Sequence, residues 1–162
     1  MKRTQSSLTP EQAYPKLAHF CAYQERCHKE VLQKLHDVGV YGRDAENIVA
    51  RLIEENYLNE ERFACLFAGG RFRMKQWGKV KISYELKQRG VSAYCIRKAL
   101  REIPDDDYLT TLQTLIEKKR ATLPGNNLPL IRKKLTAFLH QKGYEHSVFQ
   151  PLLEQLSRKG KK

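Results

Sequence analysis

Three stretches of the chain place a bulky apolar residue, a leucine four positions on, and a glycine four after that: Val31-Leu35-Gly39, Ile82-Leu86-Gly90 and Leu135-Leu139-Gly143. The glycines lie 51 and 53 residues apart. Apolar residues four apart stack on one helical face, and glycine just past the last turn is the usual left-handed stop. A further apolar helical stripe follows each glycine. A period near 50 makes this a repeat protein, in which neighbouring units share a continuous core.

The helix signals fit that period. Thr9-Pro10-Glu11-Gln12 reads as a capping box opening a helix to about Tyr23. A second helix carries Val31, Leu32, Leu35 and Val38 and stops at Gly39; a third, capped by Asp44, buries Ala45, Ile48, Val49, Leu52 and Ile53. The second unit opens at Asn59-Glu60-Glu61, where a cap and two acids meet the helix dipole, and continues through Phe63, Leu66, Phe67 and Phe72. Gly69-Gly70 inside that helix marks either a kink or the close approach of another backbone. Trp77-Gly78 turns the chain into Ile82–Leu86, and Ser92 caps a stripe of Cys95, Ile96, Ala99, Leu100 and Ile103 before Pro104. The third unit starts at Asp105-Asp106-Asp107 and runs through Leu109, Leu112, Leu115 and Ile116; 123–129 is a loop, then helices follow from Leu130 to His140 and from Val148 to Leu156. Pro151 is tolerable only near a helix start. No strand pattern occurs. The expected fold is all-α: three tandem three-helix repeats (9–57, 58–104 and 105–156) in an elongated, curved array, with tails over 1–8 and 157–162.

Charge is uneven along the 162 residues. The net is +12, yet 71–101 holds ten Lys or Arg against Glu85 alone, and 118–142 holds seven with no acid. Asp44 to Glu61 is acidic, with six carboxylates against Arg51. Such asymmetry points to a polyanionic partner on one surface and a basic one on another. No run approaches the ~20 apolar residues that span a bilayer, and no apolar segment follows the basic N-terminus, so the cytoplasm is the expected location. Cys21, Cys27, Cys65 and Cys95 lack zinc-ligand spacing and read as buried or incidental thiols.

The basic residues most suited to phosphate are Arg71, Arg73, Lys75, Lys79, Lys81, Lys87 and Arg89, with Trp77 among them. Trp77 either packs as core beneath the turn or stands out to stack on an unpaired base. Lys118, Lys119, Arg120, Arg132, Lys133 and Lys134 form a secondary cluster. No catalytic or metal-binding residues emerge. Many carboxylates sit in first turns, the five histidines are scattered, and there is no HExxH, glycine-rich phosphate loop or GxSxG. Neither an enzyme nor a bound cofactor is expected.

Two segments carry a family resemblance. Leu52-Ile53-Glu54-Glu55-Asn56-Tyr57-Leu58-Asn59-Glu60-Glu61-Arg62-Phe63-Ala64 resembles the junction between the first and second repeats of the RecX family. Arg73, Trp77-Gly78, Ile82, Glu85-Leu86, Arg89-Gly90-Val91, Ile96 and Ala99-Leu100 resemble its second-repeat signature. Cys27 departs from it, standing where a serine commonly starts the second helix, which implies a weaker cap. The resemblance implies three three-helix repeats and a non-enzymatic regulator of the RecA recombinase, acting in DNA repair, homologous recombination and the SOS response. Such a regulator binds RecA and the groove of its DNA filament, limiting filament growth, ATP hydrolysis and strand exchange. Many members also bind DNA directly, and a monomer is the simpler expectation. The alternative is a stand-alone helical-repeat module binding DNA or RNA through the basic face. A peptide-binding array like the tetratricopeptide repeats is opposed by the period, since theirs is about 34.

Overall fold

The structure, a computed structural model, describes residues 7–159. The tails expected over 1–8 and 157–162 therefore lie largely outside the described residues. Nine helices and no strand are present among the described residues: α1 (Pro10–Tyr23), α2 (His28–Asp37), α3 (Gly42–Glu54), α4 (Glu60–Lys75), α5 (Lys79–Gln88), α6 (Ala93–Arg101), α7 (Asp105–Thr122), α8 (Leu128–Lys142) and α9 (His146–Lys159). The chain forms an all-α helical-repeat fold in two compact units. One comprises the chain up to Leu66 together with Leu86–Lys98; the other comprises Phe67–Glu85 together with the chain from Ala99 onward.

The repeated glycine ends α2, α5 and α8 in one way. Gly39, Gly90 and Gly143 have φ of 85°, 75° and 92°. Each donates its N–H three residues back, to His36, Lys87 and His140, at 3.0 Å. The next residue reaches back five: Val40 to Leu35 at 2.9 Å, Val91 to Leu86 at 3.1 Å and Tyr144 to Leu139 at 3.0 Å. This is the Schellman closure, with its apolar contact supplied by Val40, Val91 and Tyr144, all buried. The six apolar residues of the repeated pattern are at most 1 % exposed.

In the first unit, Thr9 and Gln12 form the capping box of α1, with Thr9 Oγ1 accepting from the Gln12 N–H at 3.2 Å. Ala13, Leu17 and Cys21 of α1 meet Val31 and Leu35 of α2 and Ala45, Ile48 and Leu52 of α3 in one core. Asn59 caps α4 by accepting from the Arg62 N–H at 2.9 Å, and Ser92 caps α6 by accepting from Cys95 N–H at 3.3 Å. Cys27 stands at the cap of α2 without a serine-like side-chain bond. Its own N–H donates to Glu30 at 3.3 Å, so the reciprocal half of the box survives. Burial pushes the Cys21 and Cys27 thiols above their ordinary range.

In the second unit, Gly78 is more than a turn. A Cβ there would overlap the backbone of Gly143 and Tyr144, and a Cβ on Gly143 would overlap Lys81. This approach lets the first N–H groups of the α5 segment reach the end of α8: Gly78 donates to the Lys142 carbonyl at 2.8 Å and Val80 to the Gly143 carbonyl at 2.9 Å. Helix-start donors thus meet helix-end acceptors. The Tyr144 hydroxyl donates to the Gln76 carbonyl at 2.9 Å and the Lys142 ammonium to the Lys75 carbonyl at 3.1 Å.

Several expectations are corrected. Asp44 lies in the first turn of α3, whose cap is Tyr41, and Ile53 is exposed, as are Leu32, Leu66 and Leu109. Helix α4 runs unbroken through Gly69-Gly70. What comes close to Gly69 is the guanidinium of Arg73 from the next turn, not another backbone. Pro104 begins α7 as its cap rather than merely closing α6, and Tyr108, not Leu109, is buried at its start. Helix α8 starts at Leu128, with Asn127 as cap and Pro129 in the first turn, inside the expected loop. Helix α9 runs from His146 to Lys159, which puts Pro151 in its second turn.

Two glycines separate space from conformation. Gly78→Ala should destabilise the protein by roughly 1–3 kcal/mol, because backbone rather than a flexible side chain blocks the new methyl. Gly70→Ala, in open space within α4, should stabilise it by about 0.5–1 kcal/mol. Denaturant unfolding of the two variants checks the signs. Leu86→Asp puts a charge at a position 0 % exposed and should cost at least about 3 kcal/mol; an unchanged thermal midpoint would mean the repeat register is wrong.

A cation cluster around Trp77

The residues expected to form one basic face belong to both units. Arg71, Arg73, Lys75, Trp77, Lys79 and Lys81 belong to the second unit, and Lys87 and Arg89 to the first. Arg71 and Lys75 are four apart near the end of α4, so they share a face and point the same way. Lys81 lies in the first turn of α5, just beyond the Gly78 turn. The turn brings all three to one indole: Lys81 Nζ is 4.7 Å from the Trp77 ring centroid, Lys75 Nζ 5.4 Å and the Arg71 guanidinium carbon 5.5 Å. Arg71 also lies 4.7 Å over Phe67, and its Nε is buried without a hydrogen-bond partner.

None of these three cations is ion-paired among the described residues. Three positive charges around one ring repel one another, and the ring quadrupole offsets only part of that. The arrangement is therefore suited to an anion with several oxygens, such as a phosphate. Trp77 is half-buried, so it is neither wholly core nor an open platform, and its surroundings are occupied by cations. It gathers charge rather than offering a bare face for a base.

The other candidates have different settings. Arg73 is exposed and folds back over Gly69. Lys79 is a structural element: its N–H donates to the Tyr108 hydroxyl at 3.0 Å, its ammonium is 4.8 Å over the Tyr108 ring, and Asp105 lies 4.0 Å away. Tyr108 in turn donates to Glu145 and packs between Phe72 and Tyr144, with ring centroids 5.8 and 5.2 Å away. Burial, then the Glu145 contact, drives the Tyr108 phenol far above its ordinary range, so it stays a neutral donor. Sequence periodicity missed this residue, whose only signal was an aromatic in a first turn. In the first unit Lys87 is exposed and Arg89 is half-buried beside α2.

In the secondary cluster, Lys118, Arg132, Lys133 and Lys134 are exposed; Lys119 lies 5.2 Å over Phe138, and Arg120 and Arg132 border an apolar cleft between Ile131 and Leu153. Half of the acidic stretch is used internally: Glu55 binds Tyr14 and Arg51, Glu60 accepts from Ser92 N–H at 3.0 Å, and Glu61 binds Lys98. Asp44, Glu46 and Glu54 stay exposed. Among the described residues no three metal-ligating side chains gather, and no helix is long and apolar enough to cross a membrane.

Comparison with known proteins gives these features a family. The model of the RecX second three-helix domain matches residues 59–100, and that of the third matches 105–153, together more than half of the chain. Proteins named "Regulatory protein RecX" from Bacillus cytotoxicus and Bacillus cereus are 27% identical over 146 residues, covering 90% of this chain and 54% of theirs. The chain thus spans about half the length of these relatives. The crystal structure of RecX from Lactobacillus salivarius superposes with a TM-score of 0.84 at 20% identity, over 91% of this chain and 96% of that one. A second crystal structure, of regulatory protein RecX, gives 0.77 at 19%, over 87% and 70%. These likenesses bear out the fold, and the two domain matches settle the family: the chain belongs to the RecX family.

Proposed function

We propose that this protein is a non-enzymatic regulator of a RecA recombinase, acting on the RecA filament assembled on DNA and limiting its growth, ATP hydrolysis and strand exchange. The relatives' name supports a regulator. The observation that carries the DNA-facing part is the convergence of Arg71, Lys75 and Lys81 on Trp77 without a carboxylate. Such a cluster takes phosphate oxygens and releases counterions, giving weak, salt-sensitive binding to DNA. Arg73 extends the positive field, Lys79 holds the turn that aims it, Lys87 and Arg89 add positive charge on the first unit, and the cluster at 118–120 and 132–134 adds a second contact. In this reading the repeats over 9–57, 58–104 and 105–156 each contribute surface to a filament contact. The protein works as a cytoplasmic monomer and needs no cofactor.

The mechanism is occupancy. A protein seated on the filament blocks what must enter the same space, and one bound at a growing end halts addition of subunits. Neither step needs a reacting group. The stand-alone nucleic-acid module is the second reading, favoured by the same cluster, and it requires no recombinase contact.

The test is ATP hydrolysis by the cognate RecA on single-stranded DNA with this protein added well below stoichiometry. The rate should fall. The triple variant Arg71→Glu, Lys75→Glu, Lys81→Glu should lose most of the effect with helicity unchanged, since none of the three residues belongs to the buried apolar core. An unaltered rate with salt-sensitive DNA binding retained would establish the stand-alone module instead. Full inhibition by the triple variant would remove the assignment to Trp77.

A further inference from the structure

The first unit carries a trough beside α1 and α2 that no sequence signal singled out and that takes no part in the Trp77 cluster. Phe20 and Tyr23 of α1 form its floor, and Lys16, Arg26 and Lys34 surround it. Lys16, Phe20 and Tyr23 are four and three residues apart, so one face of α1 presents them together. Phe20 is anchored against the core of the unit, whereas Tyr23 is 77% exposed. The surrounding positive charge is also ordered. The Arg26 guanidinium lies 3.7 Å over the Phe20 ring and its Nε–H donates to the Phe20 carbonyl at 3.1 Å, while the Lys34 ammonium lies 5.6 Å from the same ring.

The nearby acid is already engaged: Glu30 lies 3.6 Å from Arg26 and accepts from the Cys27 N–H at 3.3 Å. Lys16 and Lys34 have no carboxylate partner among the described residues. An apolar floor under unpaired cations is complementary to a chain segment that is apolar at its centre and negative at its flanks.

We propose that this trough docks an acidic peptide segment of a partner protein. An apolar anchor residue sits on Tyr23 beside Phe20, and carboxylates lie beside Lys16 and Lys34. A nucleic-acid strand fits less well, because Arg26 covers a face of Phe20 that a base would stack on, leaving Tyr23 as the one open ring of the floor.

The probe is a fluorescein-labelled synthetic peptide of Asp and Glu with a central Leu-Phe pair, titrated with the full chain and followed by fluorescence anisotropy. The control peptide replaces Leu-Phe with Ser-Gly, and a labelled oligo-dT is titrated in parallel. The Leu-Phe peptide should bind more tightly than the control. The double variant Lys16→Glu, Lys34→Glu should weaken it about tenfold or more, Tyr23→Ala should weaken it roughly threefold, and Lys81→Glu should leave it unchanged, with circular dichroism the same throughout. Equal binding of the Ser-Gly control would reduce the trough to nonspecific charge and overturn the proposal. So would peptide binding unaffected by the double variant, or a double variant that loses only oligo-dT. The assay contains no recombinase, so its failure is separate from failure of the regulatory reading.

Discussion

The left-handed turn that closes α2, α5 and α8 is the constraint from which the rest of the structure follows. An L-side chain at those φ values costs roughly 1–2 kcal/mol, so glycine is the residue that permits the turn. The turn returns the chain toward the helix it has just left. Val40, Val91 and Tyr144 are thereby buried against the leucine five residues earlier, and the next helix starts from a fixed point. The repeat consists as much in this closure as in the helices, since it converts an apolar stripe into the corner of a core.

In the second unit the same turn has a further role. The Gly143 and Lys142 carbonyls accept from Val80 and Gly78, so the end of α8 serves as part of the cap of α5. Tyr108, held neutral by burial and by Glu145, adds a hydroxyl that accepts from Lys79 N–H. These contacts fix the turn that follows Trp77, and through it the positions of Lys75 and Lys81 near the indole. The cation cluster is thus built largely on backbone hydrogen bonds, with no carboxylate paired to the three cations themselves.

Much of this was legible in the sequence for a local reason. Thr9, Asn59, Ser92 and the three closing glycines act within a few residues of themselves, and each behaves as its residue type requires. What escaped notice depends on residues far apart. Tyr108 meets Lys79 and Glu145 only after folding, and Gly78 meets Gly143 across 65 residues of chain. The charge count singled out the basic stretch, yet it could not separate Lys79, which is spent on Asp105 and Tyr108, from Lys81, which is not. Around Lys16, Arg26 and Lys34 the signs of charge alternate along the chain, so the positive trough has no counterpart in a linear tally. The cap expected at Asp44 lies three residues earlier, at Tyr41, because Gly42 starts the helix ahead of the first polar cap candidate.

Gly143 ends one helix and receives another, which ties the second unit's anion-facing cluster to a residue remote from it in sequence. A chain lacking α8 would keep every cation around Trp77 in its covalent order. It would also strand the N–H groups of Gly78 and Val80 without their acceptors, and the turn that aims the cations would have nothing to rest against. Heritable change at the third repeat should therefore register as altered function in the second, and neither Gly78 nor Gly143 leaves room for a side chain.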